Sequence, residues 1–142
     1  MKLPSGLEIL EDHEGSGPIA EVGHTIIYNV RIFLNHGDEV PMNEIHEKRG
    51  LPDEQVRCES DQIFIDHKST LGRRHAIAGI EKALLRMRVG GFRKVRVSPH
   101  LAYGHRGLPG LIPPDAVLNI SLWLREIVTT NKAPDKREGT DD

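Results

Sequence analysis

Aromatic side chains are scarce in this chain. Three Phe, two Tyr and one Trp make up 4% of its 142 residues. A core built here has to be mostly aliphatic. Cysteine is scarcer still: Cys58 stands alone, which excludes an intrachain disulfide. No run approaches the roughly 20 apolar residues of a membrane helix. The opening residues, Met1 to Gly6, lack an apolar stretch of signal-peptide length. Together these absences lead to the expectation of a soluble, cytoplasmic protein with no membrane partner. Charge of one sign is missing too. Nineteen basic residues are mixed with 21 acidic ones for a formal net charge of -2. A nucleic-acid-binding face would need a basic stripe, so nucleic acid is not an expected partner.

What is present suits one domain. Hydrophobic residues make up 37% of the chain, enough for one modest core. Leu7 to Glu11 reads as a short strand, followed by the turn-rich 14–18. From His24 to Leu34 the two-residue period puts Ile26, Tyr28, Val30, Ile32 and Leu34 on one face, with Asn29 and Arg31 opposite. Pro41, Gly50 and Pro52 interrupt 41–62, where a short helix from Asn43 to Lys48 is the expectation. Gln62 to Asp66 reads as another strand. Ile77, Ile80, Leu84 and Met87 form an apolar stripe at helical spacing, predicting a helix that Gly90-Gly91 ends.

Phe92 to Ser98 alternates as a strand with Val95 and Val97 inward; Arg93, Lys94 and Arg96 read as a solvated face. In the last strand, 117–127, Leu118, Ile120, Leu122 and Leu124 form the core face. Asn119, Ser121, Trp123 and Arg125 point away, with Asn119 and Ser121 expected to be more exposed. Residues 129–142 are polar and read as a disordered tail. The fold class is therefore α+β, an antiparallel sheet with a helix on one face. Pattern alone goes no further towards function.

Motifs in the second half do. Leu71-Gly72 is followed by the run Ile77 to Leu84, then Met87-Arg88-Val89-Gly90-Gly91, Val97-Ser98-Pro99 and Ala102-Tyr103-Gly104. Gly107 and Ile112-Pro113-Pro114-x-Ala116-x-Leu118 complete the set. These spacings resemble the FKBP family of prolyl isomerases over roughly 7–127. The resemblance implies five or six antiparallel strands wrapped around one short helix, in one domain over 1–128. It implies a ligand cleft between helix and sheet, and a proline-containing peptide or protein as substrate. It implies no cofactor.

Carried over position by position, the resemblance makes Tyr103 the catalytic residue, its hydroxyl orienting the substrate beside a backbone N–H of the Ala76-Ile77 segment. Ile77 and Ile112 keep the family residue, and Leu111 is a mild change. Elsewhere the family's aromatic positions are aliphatic or polar. The strand tyrosine falls on Val30. Phenylalanines fall on Val40, His67 and Ile120, the floor tryptophan on Ile80, the loop histidine on Leu108 and the aspartate on Pro41. The implied pocket is apolar without flat walls.

The stretch 41–62 is longer than in minimal members. It reads as an insertion beside the cleft and a possible partner contact. His67, His75 and His105 near the cleft rim invite a metal reading, but no histidine pair has helical i, i+4 spacing. Two readings remain: an isomerase of weakened or narrowed activity, and a non-catalytic peptide-binding module. Retained Tyr103 and the Ile-Pro-Pro loop favour the first, the lost aromatic set the second.

Overall fold

The computed structural model describes residues 5–43 and 55–128. Its strands are β1 (Leu7–His13), β2 (Thr25–Leu34), β3 (Glu39–Val40), β4 (Val56–Glu59), β5 (Gln62–Ile65), β6 (His67–Thr70), β7 (Phe92–Val97) and β8 (Leu118–Val128). The α-helix α1 (Ala78–Leu84) precedes β7. The main sheet runs β1-β7-β8-β2-β3, with β6 also paired to β2 and every pairing antiparallel. The expected tail and most of the expected helix from Asn43 to Lys48 lie outside the described residues.

The two-residue period decides the inner face. Ile26, Tyr28, Val30 and Ile32 of β2 are buried there with Leu118, Ile120, Leu122 and Leu124 of β8 and Val95 and Val97 of β7. Ile80, Ala83 and Leu84 of α1 pack into the same core. Gly79 sets the distance of approach. A Cβ at that position would come within 2.5 Å of a Val97 methyl, so a larger residue would push the helix off the sheet.

The helix is shorter than its apolar stripe predicts. It ends at Leu84, and Arg86 adopts a positive φ of 71°. The next residues pair instead with the segment before β2: Arg86 N–H donates to Ala20 O, Ala20 N–H to Met87 O and Val89 N–H to Pro18 O. That pairing stops the helix before Gly90-Gly91. Met87 stays buried, but as part of this extended segment. Arg93 also departs from expectation. Its position in β7 has the parity of Val95 and Val97, and it is buried. Its guanidinium donates to Ala83 O at 2.9 Å and pairs with Asp12. It thus satisfies a carbonyl left over at the end of α1.

The outer face is covered rather than open. Part of the 41–62 insertion, with the three residues that follow it, forms the β4–β5 hairpin. That hairpin lies on the sheet's outer side, opposite the helix, not beside the cleft. Phe64 meets Trp123 edge-on at 5.0 Å, and Trp123 meets Phe92 at 5.0 Å. The guanidinium groups of Arg31 and Arg125 each lie 5.8 Å from the Phe64 ring centre, a cation–π arrangement. Beneath this cover Asn29 is fully buried. Its amide donates to Ile65 O at 2.8 Å and to the Asp66 carboxylate at 2.7 Å, and accepts from Arg125. Ser121 is buried too, contrary to its expected exposure, because β8 is flanked by β2 and β7 and the hairpin reaches the neighbouring Trp123.

Asp66 joins the hairpin to the sheet. Burial alone would raise its pKa, but hydrogen bonds from Arg57 and Asn29, and the charges of Arg57 and Arg125, outweigh burial and hold it below the usual carboxylate value. A carboxylate with a depressed folded pKa contributes stability above its unfolded pKa of about 3.9. That contribution disappears as pH falls through the folded value. Urea denaturation followed over an acid series should therefore show a loss of stability below about pH 4. Asp66→Asn should lower stability at neutral pH and flatten the acid dependence. An unchanged acid slope in the variant would remove Asp66 from this role.

Candidate functional site

Residues of β2, β6, α1 and the loops around them line a cavity of about 510 Å³. Val30 and Ile32 reach it from β2 and Ile80 from the helix. Tyr28 and His67, paired across β2 and β6, form one wall with their rings 5.4 Å apart and 30° from parallel. Ala76, Ile77 and Tyr103 form the rim with Met42, Arg74 and His75. The lining combines six apolar side chains with two phenols, one guanidinium and two imidazoles.

The rim loop is held by short-range hydrogen bonds. Glu81 of α1 accepts from Gly72 N–H at 3.2 Å and His75 N–H at 3.0 Å. His75 Nδ1 accepts from Thr70 N–H, so the neutral ring carries its proton on Nε2. Arg74, between the two acceptor contacts, takes a positive φ of 60°. The Ile77 N–H has no hydrogen-bond partner among the described residues. It belongs to a cavity residue with extended backbone, φ −60° and ψ 152°.

Tyr103 sits in the loop after β7, following a 3-10 turn at Pro99–Leu101. Its carbonyl accepts from Gly107 N–H at 3.0 Å, and Leu108 and Ile112 exchange backbone hydrogen bonds farther along. Gly107 is required here. Its φ is +69°, and a Cβ would lie 2.5 Å from Ile112 O. The loop is thus folded on itself and presents a half-buried Tyr103 to the cavity.

The structure gathers six of the sequence-derived site residues around this cavity: Val30, His67, Ala76, Ile77, Ile80 and Tyr103. Val40 and Ile120 are buried in the core behind it, Ile120 completely. Leu111 and Ile112 line a separate hollow beside Pro113 and Pro114. The position-by-position carry-over placed the strand tyrosine on Val30 and left out Tyr28, which lines the cavity beside it. The signal was there, since Tyr28, Val30 and Ile32 share one face of β2. Arg74 had no such signal, because a loop conformation brings it in, whereas Met42 belongs to the 41–62 stretch expected beside the cleft. Among the described residues, no group of three or more His, Cys, Asp or Glu side chains could hold a metal ion.

Burial controls the acidity of both tyrosines. Tyr28 is pushed up to about 12, first by burial and then by the negative charge of Glu81 and the neighbouring Tyr103 phenol. Burial raises Tyr103 as well. Both are therefore protonated donors at neutral pH. Ultraviolet titration of the folded protein should show both phenols ionising above the free tyrosine value of about 10. Tyr28→Phe should remove the later step. Ionisation of both phenols at the free value would place them in water.

Comparison with known proteins gives three results. The model of the FKBP-type peptidyl-prolyl cis-trans isomerase family matches residues 51–124. Peptidyl-prolyl cis-trans isomerase FKBP11 of Bos taurus is 44% identical over 61 residues, covering 43% of this chain and 30% of that protein. The 46 kDa FK506-binding nuclear protein of Spodoptera frugiperda is 28% identical over 128 residues, covering 89% of this chain and 26% of that protein. The chain thus spans less than a third of either relative. The crystal structure of AtFKBP13 has the same fold, with a TM-score of 0.69 at 24% identity, over 89% of this chain and 96% of that one.

Proposed function

The chain belongs to the FKBP-type peptidyl-prolyl cis-trans isomerase family, and from that premise we propose that its cleft isomerises X–Pro bonds with reduced activity. The observation that carries this reading is the apolar cavity of Val30, Ile32, Ile77 and Ile80, with Tyr103 and the unpartnered Ile77 N–H at its edge.

Rotation about a peptide bond faces a barrier of roughly 18–20 kcal/mol, set by amide resonance. Uncatalysed X–Pro exchange takes tens to hundreds of seconds. Resonance spreads charge onto the amide oxygen, and twisting the bond removes that polarity. An apolar cleft that excludes water consequently favours the twisted amide over the planar one. The Tyr103 hydroxyl and the Ile77 N–H supply donors that orient the substrate backbone. No group needs to transfer a proton or form a bond to the substrate. Tyr28 adds an aromatic face beside His67, which offsets part of the aliphatic replacement elsewhere. Ile80 on the floor still lacks the stacking surface of an aromatic ring, worth about 0.5–1.5 kcal/mol. That deficit is the basis for the reduced activity.

An isomerase assay on proline tetrapeptides, free of coupled protease, tests the reading. Wild type should be active, and Tyr103→Phe should slow it by roughly tenfold, the effect of about 1.4 kcal/mol in the barrier. Ile80→Asp should reduce the rate further by placing a charge where water is excluded. Circular dichroism should accompany that variant to separate lost chemistry from lost fold. The rate should be nearly flat from about pH 6 to 8, because no proton transfer takes part. A steep profile would implicate His67 or His75 and overturn the desolvation mechanism. An inactive, folded wild type would leave the cleft as a peptide-binding site.

A further inference from the structure

The cleft has a neighbouring cavity at its rim. Arg74 and Ala76 line the cleft, and both also line this second cavity of about 530 Å³ beside the loop leading into α1. Val22, Leu71 and Leu85 give this second cavity apolar walls, and Ala78 and Lys82 of the helix bound it. Val22 is 69% exposed, more than any other large hydrophobic residue described as exposed. A lone exposed valine is ordinary on a protein surface. This one borders an apolar hollow that shares Arg74 and Ala76 with the peptide cleft.

The charges at this hollow are unbalanced. Glu81 is its acidic member, and both of its carboxylate oxygens already accept backbone N–H groups of the rim loop. Arg74 and Lys82 form no ion pair among the described residues. The hollow therefore offers apolar walls and two cations without carboxylate partners.

We propose that this second cavity is a subsite for the segment flanking the substrate proline, selecting an apolar side chain next to an acidic one. The inference rests on the isomerase reading of the cleft. The flanking segment crosses Ala76, sets its apolar side chain against Val22 and Leu85, and brings its carboxylate to Lys82 and Arg74. The rim shared through Arg74 and Ala76 identifies the occupant as the same chain that brings the proline. The unpaired cations identify the acidic neighbour.

Three probes test the subsite: a plain proline tetrapeptide, and two longer peptides carrying leucine–glutamate or leucine–lysine pairs on both flanks of the proline. Wild type should favour the leucine–glutamate peptide over the tetrapeptide by on the order of tenfold in kcat/KM, the effect of burying one aliphatic side chain and adding one ion pair. Lys82→Glu should shift the preference to the leucine–lysine peptide. Ala78→Trp should erase the gain while tetrapeptide turnover stays unchanged. If that variant is misfolded by circular dichroism, exposed Lys82 decides alone.

Fluorescence anisotropy on the same peptides separates the two levels of the argument. Turnover with no flank preference, or a preference that survives Lys82→Glu, overturns the subsite and keeps the isomerase. Charge-dependent binding without turnover keeps the subsite and overturns the isomerase. Neither turnover nor binding overturns both.

Discussion

β2 buries its inner face and, at Asn29, the middle of its outer one, and the rest of the structure is arranged around that requirement. Its inner residues, Tyr28, Val30 and Ile32, form part of the core and part of the cavity wall. Its outer residue Asn29 is as deeply buried, beneath the β4–β5 hairpin. A strand facing water on one side can carry any polar residue there. This one cannot. A buried amide has to find partners for its donors and its acceptor, and Asn29 finds them in Ile65, Asp66 and Arg125. Those bonds tie the insertion to the strand that lines the cleft. A register slip of one residue would exchange the two faces and lose both the cavity and the amide contacts.

The second support is at the far end of the helix. With seven residues, α1 is too short to be stable by itself and depends on its packing. Gly79 lets it approach Val97 closely, and Arg93 occupies a carbonyl at its C-terminal end. Ile77 and Ile80 therefore meet the cavity from a helix fixed by β7 below it. Glu81, one residue beyond Ile80, holds the rim loop. A short helix thus positions the floor, the rim and the backbone donor together.

These relations explain which features could be read from the sequence. The inner face was legible because Ile26, Tyr28, Val30 and Ile32, and later Leu118 to Leu124, alternate without interruption. The helix start was legible in the apolar stripe. Its end was not, because competition from the 17–20 segment is a contact between distant parts of the chain. Arg93 was misjudged by residue type, although its parity with Val95 pointed inward. The hairpin was hidden in a charged, aperiodic stretch whose purpose is set by the outer face it covers. The scarce aromatics follow the same division: Phe64, Phe92 and Trp123 cluster outside, while the two tyrosines line the cleft. The position-by-position carry-over missed Tyr28, and the pairing with His67 placed it.

The pairing order of the sheet also governs when this molecule can form. β2 pairs with β8 from Thr25–Val128 to Leu34–Leu118, and β1 pairs with β7 from Leu7–Val97 onward. The partners come from opposite ends of the described chain, so the contact order is high and loop closure precedes the gain from pairing. During synthesis the early strands emerge long before β8 can join them. Until then the β4–β5 hairpin, closing between Val56 and Ile65, has no complete sheet to cover. The cleft is accordingly a late product of folding, assembled when the final strand arrives.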